Sequence, residues 1–273
     1  QAFRNADLHA DSDGPALSGV IHLAGRAGVR TSVENPWIYY ETNVVGTLNL
    51  LECCRMLQVP KFVLASTSSV YGGSTTYPFC ETMTTDQPLS PYAASKKAAE
   101  TLIHSYHHLH GIDATCLRYF TVYGPAGRPD MSVFRFIRAI AEGETITVYG
   151  DGLQERDFTY VDDIARGTIA ALKPVGCEAV NLGGDRPVSV ATLIKRIENR
   201  LGKTANIRYS PAHPADGRKT WAKIDKAKQL FDWSPEVSIE DGLDRTVEWY
   251  LDHRDFASQI DVRENVLTNS KAA

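Results

Sequence analysis

The sequence predicts an α/β fold: a parallel sheet flanked by helices, with a second, smaller α/β domain beside it. Three observations lead there. Short apolar runs alternate with long helical patterns through the first 120 residues, the order that builds β-α-β units with right-handed crossovers. Turn signals then crowd the chain, and Gly124-Pro125, Gly127, Pro129-Asp130 and Gly150-Asp151-Gly152 mark a change of texture after Tyr119. The length, 273 residues, suffices for one large domain or two intimately joined ones.

The elements follow in order. The run Val20-Ile21-His22-Leu23-Ala24 reads as a short buried strand. Residues 36–57 read as a helix with Pro36 near its first turn. Lys61-Phe62-Val63-Leu64-Ala65 is the next strand. A second long helix runs over 91–110 and stops at Gly111, and a third strand covers 113–118. Farther on, the pattern predicts a helix over 132–142 and a strand over 179–182 that returns to the main sheet. A helix over 189–201 has Ser189 as its N-cap, and an amphipathic helix spans 239–254. The polar tail after Asp255 is expected to fray.

Composition excludes several classes. Apolar residues make up 43% and charged residues 23%, and the net charge is -4. That balance gives no global attraction to nucleic acid or to an anionic membrane. No apolar run reaches the ~18 residues that span a bilayer, and no signal peptide is visible. The five cysteines, Cys53, Cys54, Cys80, Cys116 and Cys177, form no CxxC pair. They read as free thiols in a reducing cytoplasm. His104 and His108 stand four apart on a helix and read as structural or surface residues, so no metal site is expected.

The chemistry concentrates at Tyr92-Ala93-Ala94-Ser95-Lys96. Four residues apart on a helix, a phenol and an ammonium share one face. A free tyrosine has a pKa of about 10 and is a poor base at neutral pH. A nearby cation favours its phenolate, which can then take a proton from a hydroxyl while a hydride leaves the same carbon. Such a pair also arises by chance on solvated helices, and the context is what singles this one out. Upstream, the 62–65 strand runs into the hydroxyl-rich loop Ser66-Thr67-Ser68-Ser69-Val70-Tyr71-Gly72. The carboxyl end of a parallel strand is where α/β folds bind ligands.

That loop, followed by Ser90-Pro91-Tyr92-Ala93-Ala94-Ser95-Lys96, resembles the extended short-chain dehydrogenase/reductase family. The resemblance extends to His22-Leu23-Ala24, to Asn43-Val44-Val45-Gly46-Thr47 and to Arg156-Asp157-Phe158-Thr159-Tyr160-Val161-Asp162-Asp163. It implies a Rossmann-like parallel sheet with a smaller α/β substrate domain, and NAD as cofactor. The NAD-binding part would comprise 1–120 and 158–185, and the UDP-sugar-binding part 121–157 and 186–273. By resemblance Thr67 hydrogen-bonds the reacting oxygen, Tyr92 is the acid/base and Lys96 also holds the nicotinamide ribose. Asp7 and Leu8 flank the adenine, Ala24, Gly25 and Arg26 line the pyrophosphate and ribose path, and Asn43 supports the active-site end of the cofactor.

Within the family, Ala24-Gly25-Arg26-Ala27-Gly28-Val29-Arg30 and the stretch from Leu117 to Met131 are similar to the enzymes that epimerise UDP-glucuronate at C4 to UDP-galacturonate. The resemblance places Arg30 beside the sugar or diphosphate, Ser68, Ser69 and Thr121 with Thr67 around the substrate carboxylate, and Arg128 on the nucleotide side. Tyr149 would stack on uracil, Arg156 pair with the diphosphate, Asp216 bind the uridine ribose and Arg218 assist at the phosphates. Two plainer readings stand beside these: Tyr149 as a strand-end core residue, and Arg156 as a solvated partner of Asp157. Pro214-Ala215-Asp216-Gly217 and Lys223 depart from the family pattern at the nucleotide end. A homodimer is implied through helices 36–57 and 91–110.

Family members open with a strand and a GxxGxxG loop, and neither occurs here. The expectation is a chain that begins some tens of residues into an N-terminally truncated sheet. Three alternatives stay open: another UDP-hexose 4-epimerase, a UDP-glucuronate decarboxylase, and a catalytically silent sugar-nucleotide binder.

Overall fold

The computed structural model describes residues 17–212 and 217–262. Asp7, Leu8 and Asp216 lie outside the described residues. Among the described residues the main sheet has four parallel strands: β1 (Val20–His22), β2 (Lys61–Thr67), β3 (Asp113–Tyr119) and β7 (Cys177–Leu182), in the order β1-β2-β3-β7. The register sets Ile21 against Val63, Val63 against Thr115 and Cys116 against Ala179. All seven residues of β2 are buried, as a central parallel strand covered on both faces requires.

Helices cover both faces. On one side lie α2 (Trp37–Tyr40), a π-helical turn (Glu41–Val45), α3 (Gly46–Met56) and the long α4 (Pro91–His110). The short α1 (Thr31–Glu34) precedes them. Leu51 and Ile103 from these helices pack on Phe62 and Leu64. The alternate residues of the same strands, Val63, Leu117, Val180 and Leu182, face a second core with Trp233 and Phe231. Capping explains the limits of α4. Ser90 Oγ accepts the Ala93 N–H at 3.2 Å, Pro91 opens the first turn, and Gly111 closes the last with φ of 69°.

The remaining strands form small separate sheets. β4 (Thr121–Tyr123), β6 (Glu155–Tyr160) and β8 (Pro187–Ser189) make one of three strands, and β5 (Thr145–Tyr149) pairs with β9 (Asn206–Ser210). Around them pack α5 (Ser132–Glu142), α7 (Val190–Leu201) and α9 (Ile239–Asp252), with Phe134, Ile137, Leu193, Ile197, Val247 and Tyr250 in their core. Ser189 and Ser238 cap α7 and α9 by accepting N–H bonds from Thr192 and Asp241. The expected strand over 179–182 does join the main sheet, beginning two residues earlier. Between β6 and β7 lies α6 (Val161–Ala170), and α8 (Asp225–Phe231) and α10 (Arg254–Ala257) are the remaining helices among the described residues.

Two features were not foreseen. The 36–57 helix is interrupted by the wide turn at 41–45, the kind of local widening that recurs at functional sites. Residues Ala222 to Trp233 fold back from the second lobe and pack against Val180 and Leu182 beneath the main sheet.

Candidate active site

Thr67 is the last residue of β2, and its side chain accepts the Ser69 N–H at 3.1 Å and donates to Ser69 Oγ at 3.2 Å. This cap turns the chain into a short 3-10 helix (Ser68–Tyr71) and holds the hydroxyls of Thr67, Ser68 and Ser69 at the strand's end. Across from it the first turn of α4 presents Tyr92, whose hydroxyl is hydrogen-bonded to Thr67. Lys96, one turn along, is buried and donates its Nζ to the Ala65 carbonyl at 3.0 Å.

The electrostatics differ from the sequence expectation. Burial pushes the Tyr92 phenol above its ordinary value. The Thr67 hydrogen bond and the Arg128 charge pull it down, and Tyr39 pushes it up. The cation acting on Tyr92 is therefore Arg128, because Lys96 is directed to the Ala65 carbonyl. Burial lowers Lys96 itself to about 8. Arg128, expected from sequence on the nucleotide side, lies close enough to Tyr92 for its charge to act on the phenol. Asp130 braces it, accepting its Nε–H at 3.0 Å and a second bond from Nη2.

A polar lattice fixes the approach to Lys96. Asn43 sits buried in the π-helical turn, accepts the Arg26 N–H at 2.7 Å and donates to Arg26 O at 3.0 Å and to Ser95 Oγ at 2.9 Å. Thr47 donates to Asn43 O at 2.6 Å, so its oxygen receives the Nε2–H of His22 at 3.1 Å. Tyr39 contacts Thr31 Oγ1 at 2.5 Å and the Ala27 carbonyl at 3.3 Å, which ties down the loop carrying Arg30. Ala24, Gly25 and Arg26 are exposed just beyond β1. A Cβ on Gly25 would stand 2.9 Å from Lys96 Nζ and 3.1 Å from Asn43 Oδ1, so a side chain there would close the approach to the ammonium.

Burial and the Lys96 charge lower His22 to about 4, whereas burial raises Asp157 to about 6. The signs oppose. His22 contributes stability above about 6.5 that is lost as pH falls toward 4. Asp157 contributes stability below about 3.8 that is lost as pH rises toward 6. His22→Gln, which keeps a donor for Thr47, should therefore raise the melting temperature at pH 5 relative to the parent by about 3 °C or more. Calorimetry at pH 5 and pH 7.5 checks this, and an equal shift at both pH values would refute the assignment.

A cleft of about 230 Å³ opens between the lobes beside this centre. It gathers five residues singled out in the sequence: Arg30, Thr121, Arg128, Tyr149 and Arg156. The Arg30 guanidinium lies 4.0 Å from the centroid of the Tyr149 ring, so two residues expected at different parts of a ligand touch through a cation–π contact. Arg156 does not pair with Asp157. It donates to the Glu155 carbonyl at 2.8 Å, while Asp157 turns inward and accepts the Ala222 N–H at 2.8 Å. Arg218 is not brought in. Its side chain is 77% exposed, lies outside the cleft lining and reaches Asp151 at 3.3 Å.

Sequence reasoning missed Arg135 and Gln154, which also line the cleft. Arg135 sits on an amphipathic helix where an arginine looks like any solvated one. Gln154 donates to the Tyr149 carbonyl at 2.7 Å, and its Oε1 is buried without a partner among the described residues. Its position just past the Gly150-Asp151-Gly152 turn was the available signal.

Set beside known proteins, this arrangement has close counterparts. The chain is 56% identical over 248 residues to the UDP-glucuronate 4-epimerase of Thermodesulfobacterium geofontis, covering 90% of this chain and 76% of that one. The structure of UDP-glucuronic acid 4-epimerase from Bacillus cereus in complex with UDP-glucuronic acid and NAD superposes with a TM-score of 0.83. It is 39% identical, over 92% of this chain and 80% of that one. The UDP-glucose 4-epimerase of Thermotoga maritima with UDP-glucose gives 0.84 at 34% identity, over 87% and 78%. The model of the NAD dependent epimerase/dehydratase family matches residues 6–183, the span that carries Thr67, Tyr92 and Lys96. By sequence, by fold and by the geometry around Tyr92, the chain belongs to the NAD dependent epimerase/dehydratase family.

Proposed function

We propose that this protein interconverts UDP-glucuronate and UDP-galacturonate by epimerisation at C4, through a 4-keto intermediate. The observation that carries the substrate is the cleft. Four arginines, Arg30, Arg128, Arg135 and Arg156, face it with a single aspartate, Asp130. A diphosphate and a carboxylate bring about three negative charges, the complement of that lining. Tyr149 offers its ring to the base, and Gln154 Oε1, buried without a partner among the described residues, can accept an N–H from uracil.

The residues present fit NAD. Gly25 lacks the side chain that would fill the approach to Lys96, and Asn43 and Lys96 converge there from two helices. Lys96 would hold the nicotinamide ribose, and Ala24, Gly25 and Arg26 the path toward the pyrophosphate. Bound NAD supplies the acceptor, and afterwards the donor, for the C4 hydrogen.

The chain's own groups do the rest. Tyr92 takes the proton of the 4-hydroxyl and returns it after the sugar has turned over. Thr67 hydrogen-bonds the reacting oxygen, its proton turning from Ser69 Oγ when the sugar binds, and keeps it in line with Tyr92. Arg128 favours the phenolate by its charge. Thr121 and the Ser68–Ser69 turn hold the carboxylate. A 4-keto uronate is a β-keto acid and loses carbon dioxide most readily when the breaking bond stands perpendicular to the carbonyl. A fixed carboxylate out of that alignment protects the intermediate.

Incubation with UDP-glucuronate, followed by identification of the products, tests the function. UDP-galacturonate is the expected product, with UDP-pentose only a trace and UDP-glucose unchanged when offered alone. A UDP-pentose product would point to a decarboxylase, and turnover of UDP-glucose would overturn the uronate reading. In the triple variant Ser68→Ala, Ser69→Ala, Thr121→Ala, the pentose fraction should rise about tenfold, the scale of one or two lost hydrogen bonds. An unchanged product ratio would refute carboxylate holding.

The lobes divide the work as 1–120 with 158–185 for NAD and 121–157 with 186–273 for the UDP-sugar, with 222–233 packed back under the first. The protein works as a cytoplasmic homodimer. Support for the dimer comes from the exposed Trp37, Tyr40, Val45 and Leu109 on α2, the wide turn and α4; Trp37 is 81% exposed. Support for the compartment comes from the five free cysteines.

A further inference from the structure

Behind the catalytic pair lies a buried ionic network that the mechanism above does not use. Arg118 and Glu100 are both nearly inaccessible and form a bidentate pair, Nε to Oε1 at 3.0 Å and Nη2 to Oε2 at 2.9 Å. Glu100 stands one turn beyond Lys96 and two beyond Tyr92 on the same face of α4. Its Oε1 also accepts the hydroxyl of Ser66 at 2.6 Å, and Ser66 immediately precedes Thr67. Arg118 donates its third bond to Tyr71 Oη at 3.1 Å, at the far end of the 3-10 helix that carries Ser68 and Ser69. Tyr71 in turn donates to Asn181 Oδ1 at 2.7 Å on β7. Each end of the hydroxyl turn is thus tied to the catalytic helix through one carboxylate.

A buried ion pair is a poor source of stability, since desolvation offsets most of its attraction. What it fixes well is geometry, because a bidentate pair permits one orientation. We propose that Glu100 and Arg118 are positioning residues that hold the Tyr92 helix and the Thr67–Ser69 turn at the separation proton transfer needs. This rests on the epimerase reading above.

The groups acting on Tyr92 are Thr67 from β2, Arg128 from the segment after β4 and Tyr39 from α2, while Lys96 on its own helix is turned to the Ala65 carbonyl. Only the Thr67 contact depends on the spacing of turn and helix. Loosening that spacing weakens the Thr67 hydrogen bond, so the phenol should titrate higher and the acid limb of the kcat–pH profile should move up.

The test uses two variants of the full chain. Glu100→Gln keeps the shape and removes the charge. Ser66→Ala leaves the ion pair intact and cuts only its link to the turn. For Glu100→Gln, kcat should fall about thirtyfold with KM for UDP-glucuronate within about twofold, the split expected of an interaction felt in the transition state. NAD content per subunit should stay at the parent level. The acid limb should move up by about half a unit in both variants, with a few-fold lower kcat for Ser66→Ala. If both variants melt earlier but keep the parent kcat per NAD-loaded subunit and the parent limb, the pair is structural only and the proposal falls. If Glu100→Gln does not fold, Ser66→Ala decides alone, and a parental limb and kcat overturn it. A parent without turnover on UDP-glucuronate would instead refute the epimerase reading.

Discussion

Tyr92→Phe should lower kcat on UDP-glucuronate about a thousandfold, within the range general acid–base catalysis contributes. The loss corresponds to about 4 kcal/mol in the transition state. The substitution removes one oxygen and leaves the ring, whose edge-on packing against Tyr39 at 6.2 Å has no need of the hydroxyl. Affinity for the UDP-sugar should hold within a few-fold, since the cleft arginines are untouched. Product formation followed by chromatography, with binding measured by calorimetry, separates the two effects. A variant with a tenth of parental turnover would mean that another group moves the proton. Thr67, hydrogen-bonded to that hydroxyl, would be the first candidate.

Lys96→Met should strip the protein of NAD and, with it, of turnover. The ammonium is buried, accepted by the Ala65 carbonyl, and faces the opening left by Gly25. A charge-assisted hydrogen bond lost there weakens cofactor binding by about 1.5–3 kcal/mol, roughly ten- to a hundredfold. The same group predicts a pH dependence. Its pKa is lowered to about 8 by burial, so the cation is present below that value and lost as pH rises through it. NAD retention in the parent should therefore decline above pH 8, and supernatant NAD after desalting at pH 7 and pH 9.5 measures it. Equal retention at both values, or a Lys96→Met variant that keeps its NAD, would refute the role.

Sequence made the catalytic end legible because its signals are local. The Ser90 cap, Pro91, the Tyr92–Lys96 spacing and the Gly111 stop all lie within one helix. Thr67 follows from a wholly buried strand ending in hydroxyls. The second lobe was harder to read. Strand β9 is exposed along nearly all its length and lacks the apolar alternation that marks a strand. The Glu100–Arg118 pair joins residues 18 apart on different elements, so no local pattern announces it. The charge expected on Tyr92 from Lys96 comes instead from Arg128, because pKa depends on where a flexible side chain points. A one-helix spacing cannot convey that direction.

The wide turn at 41–45 makes this part of the molecule sensitive to chain length more than to composition. Tyr39, Asn43, Thr47 and Leu51 are all buried at intervals of four, and the first three hold the 22–31 loop in place. In a regular α-helix a four-residue interval drifts by about 40° each time, so such a row would spiral away from the loop. The π-helical turn takes up that drift. Deleting one residue between 41 and 45 would restore a regular helix in which Tyr39 and Thr47, then seven apart, stay within about 20° of one face, and Asn43 would be the residue turned off the row. Point changes on the outer face leave the row intact, whereas a single-residue insertion would swing Tyr39 by about 100° relative to Thr47 and unseat the loop that carries Gly25, Arg26 and Arg30, and a deletion would loosen it at Asn43 alone.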